Sequence, residues 1–369
     1  WFFFYFNKSM FFPREKKSNH LIYILIWVVL SSLLLLLDNK NSYINSLGII
    51  KNIFRFLMIV YFFVNLNFIF RNNFLQNYLF KTWVKVIYFI CLLAFVEYLL
   101  QFFGIYYSYY FDGITTTTGR TLKESFRISS IFNEPSYLVI YLNFSLLVIT
   151  EFYSQYKLSF KLNYTRLLYL IVLTTALAQS IVGFILLTLV LISYKDMIFG
   201  IRVKKNKFLL IIIFSLLSGL IIFFNKERIQ DIYAFEDGSA NHRLLGSLEL
   251  ANVIIDKNYF LTGIGFGQQK GFLSSKSIDF TDHYFNRSLG TGSGINNMFV
   301  LVFFQLGSVG LFLYLLFLYK TFKRRKNIFI FLIISGFGWA FTLNPLYWLS
   351  ISILNILING RKKNLIHLN

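Results

Sequence analysis

Hydrophobic residues in this chain gather into long runs separated by short polar stretches. A helix needs about 20 apolar residues to cross a bilayer. By that measure Leu21–Leu37, Ile53–Phe70, Trp83–Phe103, Ser136–Thr150, Phe208–Asn225 and Asn297–Tyr319 read as crossings. Two further runs, Leu167–Tyr194 and Ile328–Ile358, are long for one crossing and short for two, at a rise of ~1.5 Å per residue against an apolar layer of ~30 Å.

The polar stretches resolve those two runs. Lys157, Lys161 and Arg166 precede the first, and Lys195, Arg202, Lys204, Lys205 and Lys207 follow it. Both flanks carry the basic signature of cytoplasmic loops, so the run is expected to turn back near Gln179–Gly183. Lys320, Lys323, Arg324, Arg325 and Lys326 precede the second, and Arg361, Lys362 and Lys363 follow it. Its expected turn is at Asn344–Pro345, where proline interrupts a helix. The pattern therefore predicts an all-α, polytopic transmembrane bundle: one multi-pass domain over 1–369, about ten crossings, both ends cytoplasmic. The only acids on the cytoplasmic side are then Glu15, Glu151 and Asp196. Two large loops, 104–134 and 226–295, fall outside, and the second is too long for a mere connector. Helical spacing of apolar residues predicts a helix within it at Arg243–Ile255.

Composition agrees. The chain is 56% hydrophobic and 14% charged, with mean hydropathy +0.60, whereas soluble domains carry about 25% charged residues. Such hydrophobicity also excludes disorder. The net charge of +20 does not indicate nucleic acid, because the basic residues lie in short clusters between apolar runs. The single cysteine, Cys91, excludes a disulfide framework and a cysteine metal cluster. Four scattered histidines form no zinc pattern, no Walker motif is present, and the glycines at 263–267 lack the strand–helix setting of a dinucleotide site. No metal or cofactor is expected.

Chemistry is expected in the external loops. Arg120, Lys123 and Arg127 cluster in the first; His242, Arg243, Lys257, Lys270, Lys276, His283 and Arg287 populate the second. Arginine suits phosphate because its planar fork makes two parallel charge-assisted bonds, although each of these residues also reads as a solvated loop charge. Glu134 has two readings as well. Beside Pro135 it suits the first turn of a helix. Close to Arg127 at the mouth of a crossing, it could instead accept a proton from a sugar hydroxyl. Glu97 is the one acid in the middle of a crossing, with Gln101 one turn on; it reads either as a functional carboxylate or as a packing contact between helices.

Four segments together resemble a known family. Arg127–Ser136, containing Phe132-Asn133-Glu134-Pro135-Ser136, is similar to the entry of a crossing in O-antigen and capsular polysaccharide polymerases of the Wzy type. Ala178-Gln179-Ser180-Ile181-Val182-Gly183 resembles the Ser-Arg-x-Gly turn of the wider O-antigen ligase/polymerase superfamily. His242-Arg243 with Tyr259–Gly267 resembles its external loop of an arginine followed by Pro-Leu-x-Gly-x-Gly-x-Gly. Asn296-Asn297-Met298-Phe299, followed by Gln305-Leu306-Gly307-Ser308-Val309-Gly310, resembles its crossing His-Asn-x-Tyr … Glu-x-Gly-x-x-Gly. Ile181 stands where many relatives have arginine, Tyr259 where they have proline, and Asn296 where the ligase branch has histidine.

The resemblance implies an enzyme of the bacterial plasma membrane that joins oligosaccharide repeat units carried on undecaprenyl pyrophosphate at the outer face. It implies Arg127, Glu134 and Arg243 as catalytic residues and His242, Asn296 and Asn297 as substrate-binding residues; the external-loop residues Arg120 and His283 are further candidates for substrate binding. The implied partners are a lipid-linked donor and acceptor, membrane lipid, a flippase and a chain-length regulator. The competing expectations are a transporter or flippase of the same lipid-linked sugar and a ligase-type glycan transferase. The missing histidine at 296 favours the polymerase branch over the ligase.

Overall fold

The computed structural model describes residues 19–37, 46–69, 73–103, 128, 130, 135–156, 164–194, 219, 226, 230, 251–255, 259–275, 281–282, 287–288, 297–323, 325–338, 347–348 and 350–357. Among them the chain is helical apart from short turns and one two-residue antiparallel pairing, Thr281–Asp282 with Arg287–Ser288. The helices are α1 (Asn19–Leu37), α2 (Ser46–Ile69), α3 (Asn73–Phe102), α4 (Pro135–Tyr156), α5 (Tyr164–Leu177), α6 (Ile181–Ser193), α7 (Gln269–Ser275), α8 (Met298–Phe322) and α9 (Lys326–Gly338), with further helical residues at 251–255 and 347–357. Among the described residues four segments are long and apolar enough to cross a membrane: His20–Leu37, Tyr78–Phe102, Pro135–Tyr153 and Met298–Phe322. All of the expected crossing at Phe208–Asn225 except Gly219, and the turn at Asn344–Pro345, lie outside the described residues, as does most of the 226–295 loop. Of the helix expected at Arg243–Ile255, residues 251–255 are described and are helical.

The chain divides into two compact units, Trp1–Arg71 with Asp231–Ile356, and Asn72–Gln230 with Leu357–Asn369. In the first unit α1 packs against α2 and α8, and α8 against α9. Helix α1 shows how a membrane helix divides its faces. Leu21, Ile24, Val28, Ser31, Ser32 and Leu35 are buried, whereas Ile26, Leu30, Leu33 and Leu37 are exposed along the opposite stripe, where lipid can cover them.

Helix α8 is broken at Gly307, whose φ of 69° and ψ of −170° are not helical. A break inside an apolar layer frees backbone groups that lipid cannot pair, each at a cost of several kcal/mol. The glycine-rich segment 259–267 takes them up. Ile264 N–H donates to the Phe304 carbonyl (3.0 Å), Gly265 N–H donates to the Gln305 carbonyl (3.1 Å), and Ser308 N–H donates to the Phe260 carbonyl (2.8 Å). Trp27 of α1 donates its indole N–H to the Leu306 carbonyl at 2.9 Å.

Approach this close requires glycine on both sides. A Cβ on Gly307 would overlap the Leu261 carbonyl, and one on Gly263 would overlap the Gln305 backbone; both residues also have positive φ. The segment then joins the core. Ile264, Phe272 and Leu273 cluster with Ile254, Leu301 and Phe304, and Phe266 meets Phe56 of α2 edge-on at 5.4 Å. Within the expected loop 226–295, residues 259–267 are thus a segment docked on α8.

In the second unit α4 is the central helix. It packs against α3, α5 and α6 and is buried on nearly every side. It continues past the expected end at Thr150 to Tyr156, so Glu151 is a fully buried residue of the helix and not a residue of a cytoplasmic loop. Tyr194 donates its hydroxyl to Glu151 Oε2 at 2.5 Å, which lets the carboxylate stay inside. The run 167–194 breaks where charge predicted. Helix α5 ends at Leu177, Gln179 adopts a left-handed turn (φ 49°), and Ser180 caps α6. Each arm is about 20 Å long, shorter than the apolar layer.

Gly307→Ala is expected to lower stability by about 3 kcal/mol or more, since it adds left-handed strain to a backbone overlap. Gly336→Ala in α9, whose Cβ would first meet the Phe299 and Met298 side chains and no backbone closer than these, should cost less. Unfolding midpoints of the two purified variants check this; equal midpoints would show that the helix break tolerates a side chain.

Candidate functional site

Of the residues named for catalysis or substrate binding, only Asn297 lies among the described residues. Arg120, Arg127 and Glu134 in the first loop, and His242, Arg243, His283 and Asn296 in the second, lie outside them. By position in the chain, Arg120, Arg127 and Glu134 belong to the second unit and the others to the first.

Asn297 is the N-cap of α8. Its backbone is extended (φ −126°, ψ 117°), and its side-chain oxygen accepts the N–H groups of Phe299 (3.0 Å) and Val300 (3.2 Å). Those are two of the donors that a helix start leaves without internal partners, which explains asparagine at this position. The oxygen of a residue nominated for substrate binding is thus engaged in holding the helix.

The motif at 178–183 also has a structural account. Gly183 N–H faces Ser180 Oγ at 3.5 Å, and Asn143 of α4 donates to the Val139 carbonyl (2.8 Å) and to the Gly183 carbonyl (3.1 Å). Asn143 therefore ties the turn to the central helix. The buried side-chain oxygens Asn143 Oδ1, Thr175 Oγ1 and Gln305 Oε1 have no hydrogen-bond partner among the described residues. Such atoms are where a water or a ligand hydroxyl could bond.

Glu97 supplies the best-defined polar contact near the first loop. Its neighbours on the inward face of α3 are Ile87, Ile90, Cys91, Ala94 and Gln101, all buried, while Phe89, Leu92, Val96 and Leu99 face outward. Its Oε2 accepts the backbone N–H of Ser130 at 2.6 Å, and its Oε1 faces Gln101 Nε2 at 3.5 Å. Ser130 donates its hydroxyl to the Ile90 carbonyl at 3.0 Å. Ile128 is fully buried, and Pro135 opens α4 in buried surroundings. Glu97 is therefore a contact between a helix and the segment leading to α4. Sequence reasoning identified Glu97 but not its partner. The donor is a backbone N–H, which every residue except proline carries, so no side-chain pattern could have signalled it.

Among the described residues no group of three His, Cys, Asp or Glu is placed to hold a metal ion. Asn297→Ala should destabilise the protein by about 1 kcal/mol, whereas Asn297→Asp should hold wild-type stability, because a carboxylate accepts the same two N–H groups and suits the positive end of the helix. Thermal unfolding of both variants tests the cap; an Asp variant as unstable as the Ala variant would refute it.

No protein-family model, no curated protein and no solved structure matches this chain.

Proposed function

We propose that this chain is a polysaccharide polymerase of the bacterial plasma membrane, joining oligosaccharide repeat units carried on undecaprenyl pyrophosphate at the outer face. The proposed topology has about ten crossings, both ends cytoplasmic, and loops 104–134 and 226–295 outside. The observation that carries the reading is the direct contact between two of the four family-like motifs. Tyr259–Gly267 and Gln305–Gly310 lie some 40 residues apart in the chain, and they interlock through the hydrogen bonds at Phe260, Ile264, Gly265 and Ser308.

The chemistry needs no nucleotide, because a glycosyl pyrophosphate is already activated. A hydroxyl of the acceptor unit attacks the anomeric carbon at the reducing end of the growing chain. The bond from that carbon to the pyrophosphate oxygen breaks, and the lipid pyrophosphate leaves. Arg243 and Arg127 are assigned to the charge developing on the pyrophosphate, and Glu134 to the proton of the acceptor hydroxyl. Arg120, His242, His283, Asn296 and Asn297 are assigned to substrate binding.

A broken membrane helix is also a mark of transporters, whose freed backbone groups bind substrate or ions. Here the Phe304, Gln305 and Leu306 carbonyls and the Ser308 N–H are bonded by the chain itself, which favours the enzyme over the transporter. A ligase-type transferase would use the same donor with a different acceptor.

Purified protein reconstituted with lipid-linked repeat units should build a ladder of chain lengths without added nucleotide. A product of one transfer onto a different acceptor would indicate the ligase branch, and translocation without new glycosidic bonds the transporter. Within that assay Arg243→Ala should lose about 2–4 kcal/mol of transition-state stabilisation, roughly thirty- to a thousand-fold in rate, with little recovery in Arg243→Lys, since lysine lacks the fork. Glu134→Gln should keep substrate binding and lose about a hundredfold or more in turnover; an active Gln variant would leave Glu134 as a helix-start residue.

A further inference from the structure

We infer that helical residues 251–255 and segment 264–275 are the two arms of a re-entrant hairpin, and that its tip, Phe260–Leu261, is immersed in the acyl chains of the leaflet on the Asn297 side of α8. The partner of this surface is lipid hydrocarbon. The inference stands on the membrane-spanning helices of the first unit, whatever reaction the chain performs.

The chain runs along α8 and returns. Ile254 on the first arm and Ile264, Phe272 and Leu273 on the second cluster with Leu301 and Phe304 of α8. Tyr259 N–H donates to the Ile254 carbonyl (3.1 Å) and Gly263 N–H to the Tyr259 carbonyl (2.7 Å), closing the turn between the arms. Tyr259 and Phe272 meet edge-on across them at 5.8 Å. The tip reaches further along α8 than this cluster: the Phe260 carbonyl accepts the Ser308 N–H, and the Leu261 carbonyl lies against Gly307.

Two helices set the depth of that level. Lys320 is the exposed basic residue in the last turn of α8. An apolar layer of ~30 Å counted from it takes about 20 helical residues and ends at about Val300, so Gly307 and Ser308 lie about 10 Å inside. Trp27, which bonds the Leu306 carbonyl, stands in the α1 span His20–Leu37, about two turns inside its nearer end. At this depth Phe260 is 46% exposed and Leu261 59%. They sit at the head of an exposed apolar stripe, Phe312, Leu315 and Tyr319, which continues down α8 from Ser308 at helical spacing. Tip and stripe thus form one surface for acyl chains. The N–H groups of Tyr259, Gly263, Ile264 and Gly265 and the Phe260 carbonyl are bonded within the chain, as non-helical backbone at membrane depth must be. A loop pinned into the leaflet in this way would also stand where the lipid-carried donor proposed above travels.

Nitroxides are placed at Leu261→Cys, Phe260→Cys and Phe312→Cys, each in the full chain with Cys91→Ser, reconstituted in phosphatidylcholine vesicles. Their collisions with oxygen and with a water-soluble nickel complex are compared. At both tip positions the oxygen-to-nickel ratio should exceed that of a nitroxide free in buffer by about tenfold or more, and stay below that at Phe312, which lies deeper in the layer. A ratio near the buffer value at both tip positions places them in water and overturns the inference. Low collision with both reagents at both positions means that protein, such as a second copy of this chain, covers the tip, which overturns lipid as the partner. None of these readings uses ladder formation, so the inference and the polymerase reading fail separately.

Discussion

Inside an apolar layer every backbone N–H and C=O must find a partner within the protein, and the break at Gly307 makes that demand acute. The first unit is arranged around meeting it. The segment 259–267 supplies two N–H groups and one carbonyl, and α1 supplies the Trp27 indole, so the break is bridged by a loop and a neighbouring helix. Once the segment is seated, Phe266 reaches Phe56, Phe56 reaches Trp348 at 5.8 Å, and Phe317 meets Trp348 at 6.0 Å. The aromatic core of this unit is thus continuous with the bridge over the broken helix. Removing either glycine contact would unseat the segment and the core residues that lean on it.

The second unit meets the same demand with side chains. Its central helix α4 buries Asn143, Ser145, Thr150 and Glu151 among α3, α5 and α6. Asn143 bonds the Val139 and Gly183 carbonyls, Trp83 donates to Ser145 Oγ at 3.1 Å, and Tyr194 donates to Glu151. In lipid, where helices gain no hydrophobic drive from meeting each other, such bonds add specificity to packing. Glu97 extends the principle from holding helices together to holding a loop. Glu151 and Glu97 thus each take a hydrogen bond from another segment of the chain, one from a tyrosine hydroxyl and one from a backbone amide.

Hydropathy made much of the helix layout legible. The apolar runs overlap α1, α2, α3, α4 and α8, and the break at Gln179 falls within the span where basic flanks called for a turn. The helix ends were harder to read. Helix α2 begins at Ser46, α3 at Asn73 and α4 continues to Tyr156, because polar residues such as Lys81 and Glu151 interrupt an apolar run without interrupting a helix. The role of the glycines was illegible for a different reason. Gly307 is required by the Leu261–Thr262 backbone and Gly263 by the Gln305–Leu306 backbone, and contacts between residues more than 40 positions apart leave no local pattern. Both glycine segments carry family-like motifs, but the bridging of the α8 break by 259–267 is a tertiary contact that neither motif encodes alone. Asn297 shows how a candidate site residue can have a full structural explanation, while the catalytic candidates Arg127, Glu134 and Arg243 rest on the motif resemblance.

The most direct test of the bridged helix is amide hydrogen exchange in the full-length protein. Exchange at Ile264 and Gly265 should be as slow as in the flanking turns of α8, about a hundredfold or more below the rate of an unstructured chain, because their N–H groups are bonded to the Phe304 and Gln305 carbonyls. Exchange at the unstructured rate while α8 itself stays protected would contradict the bridge.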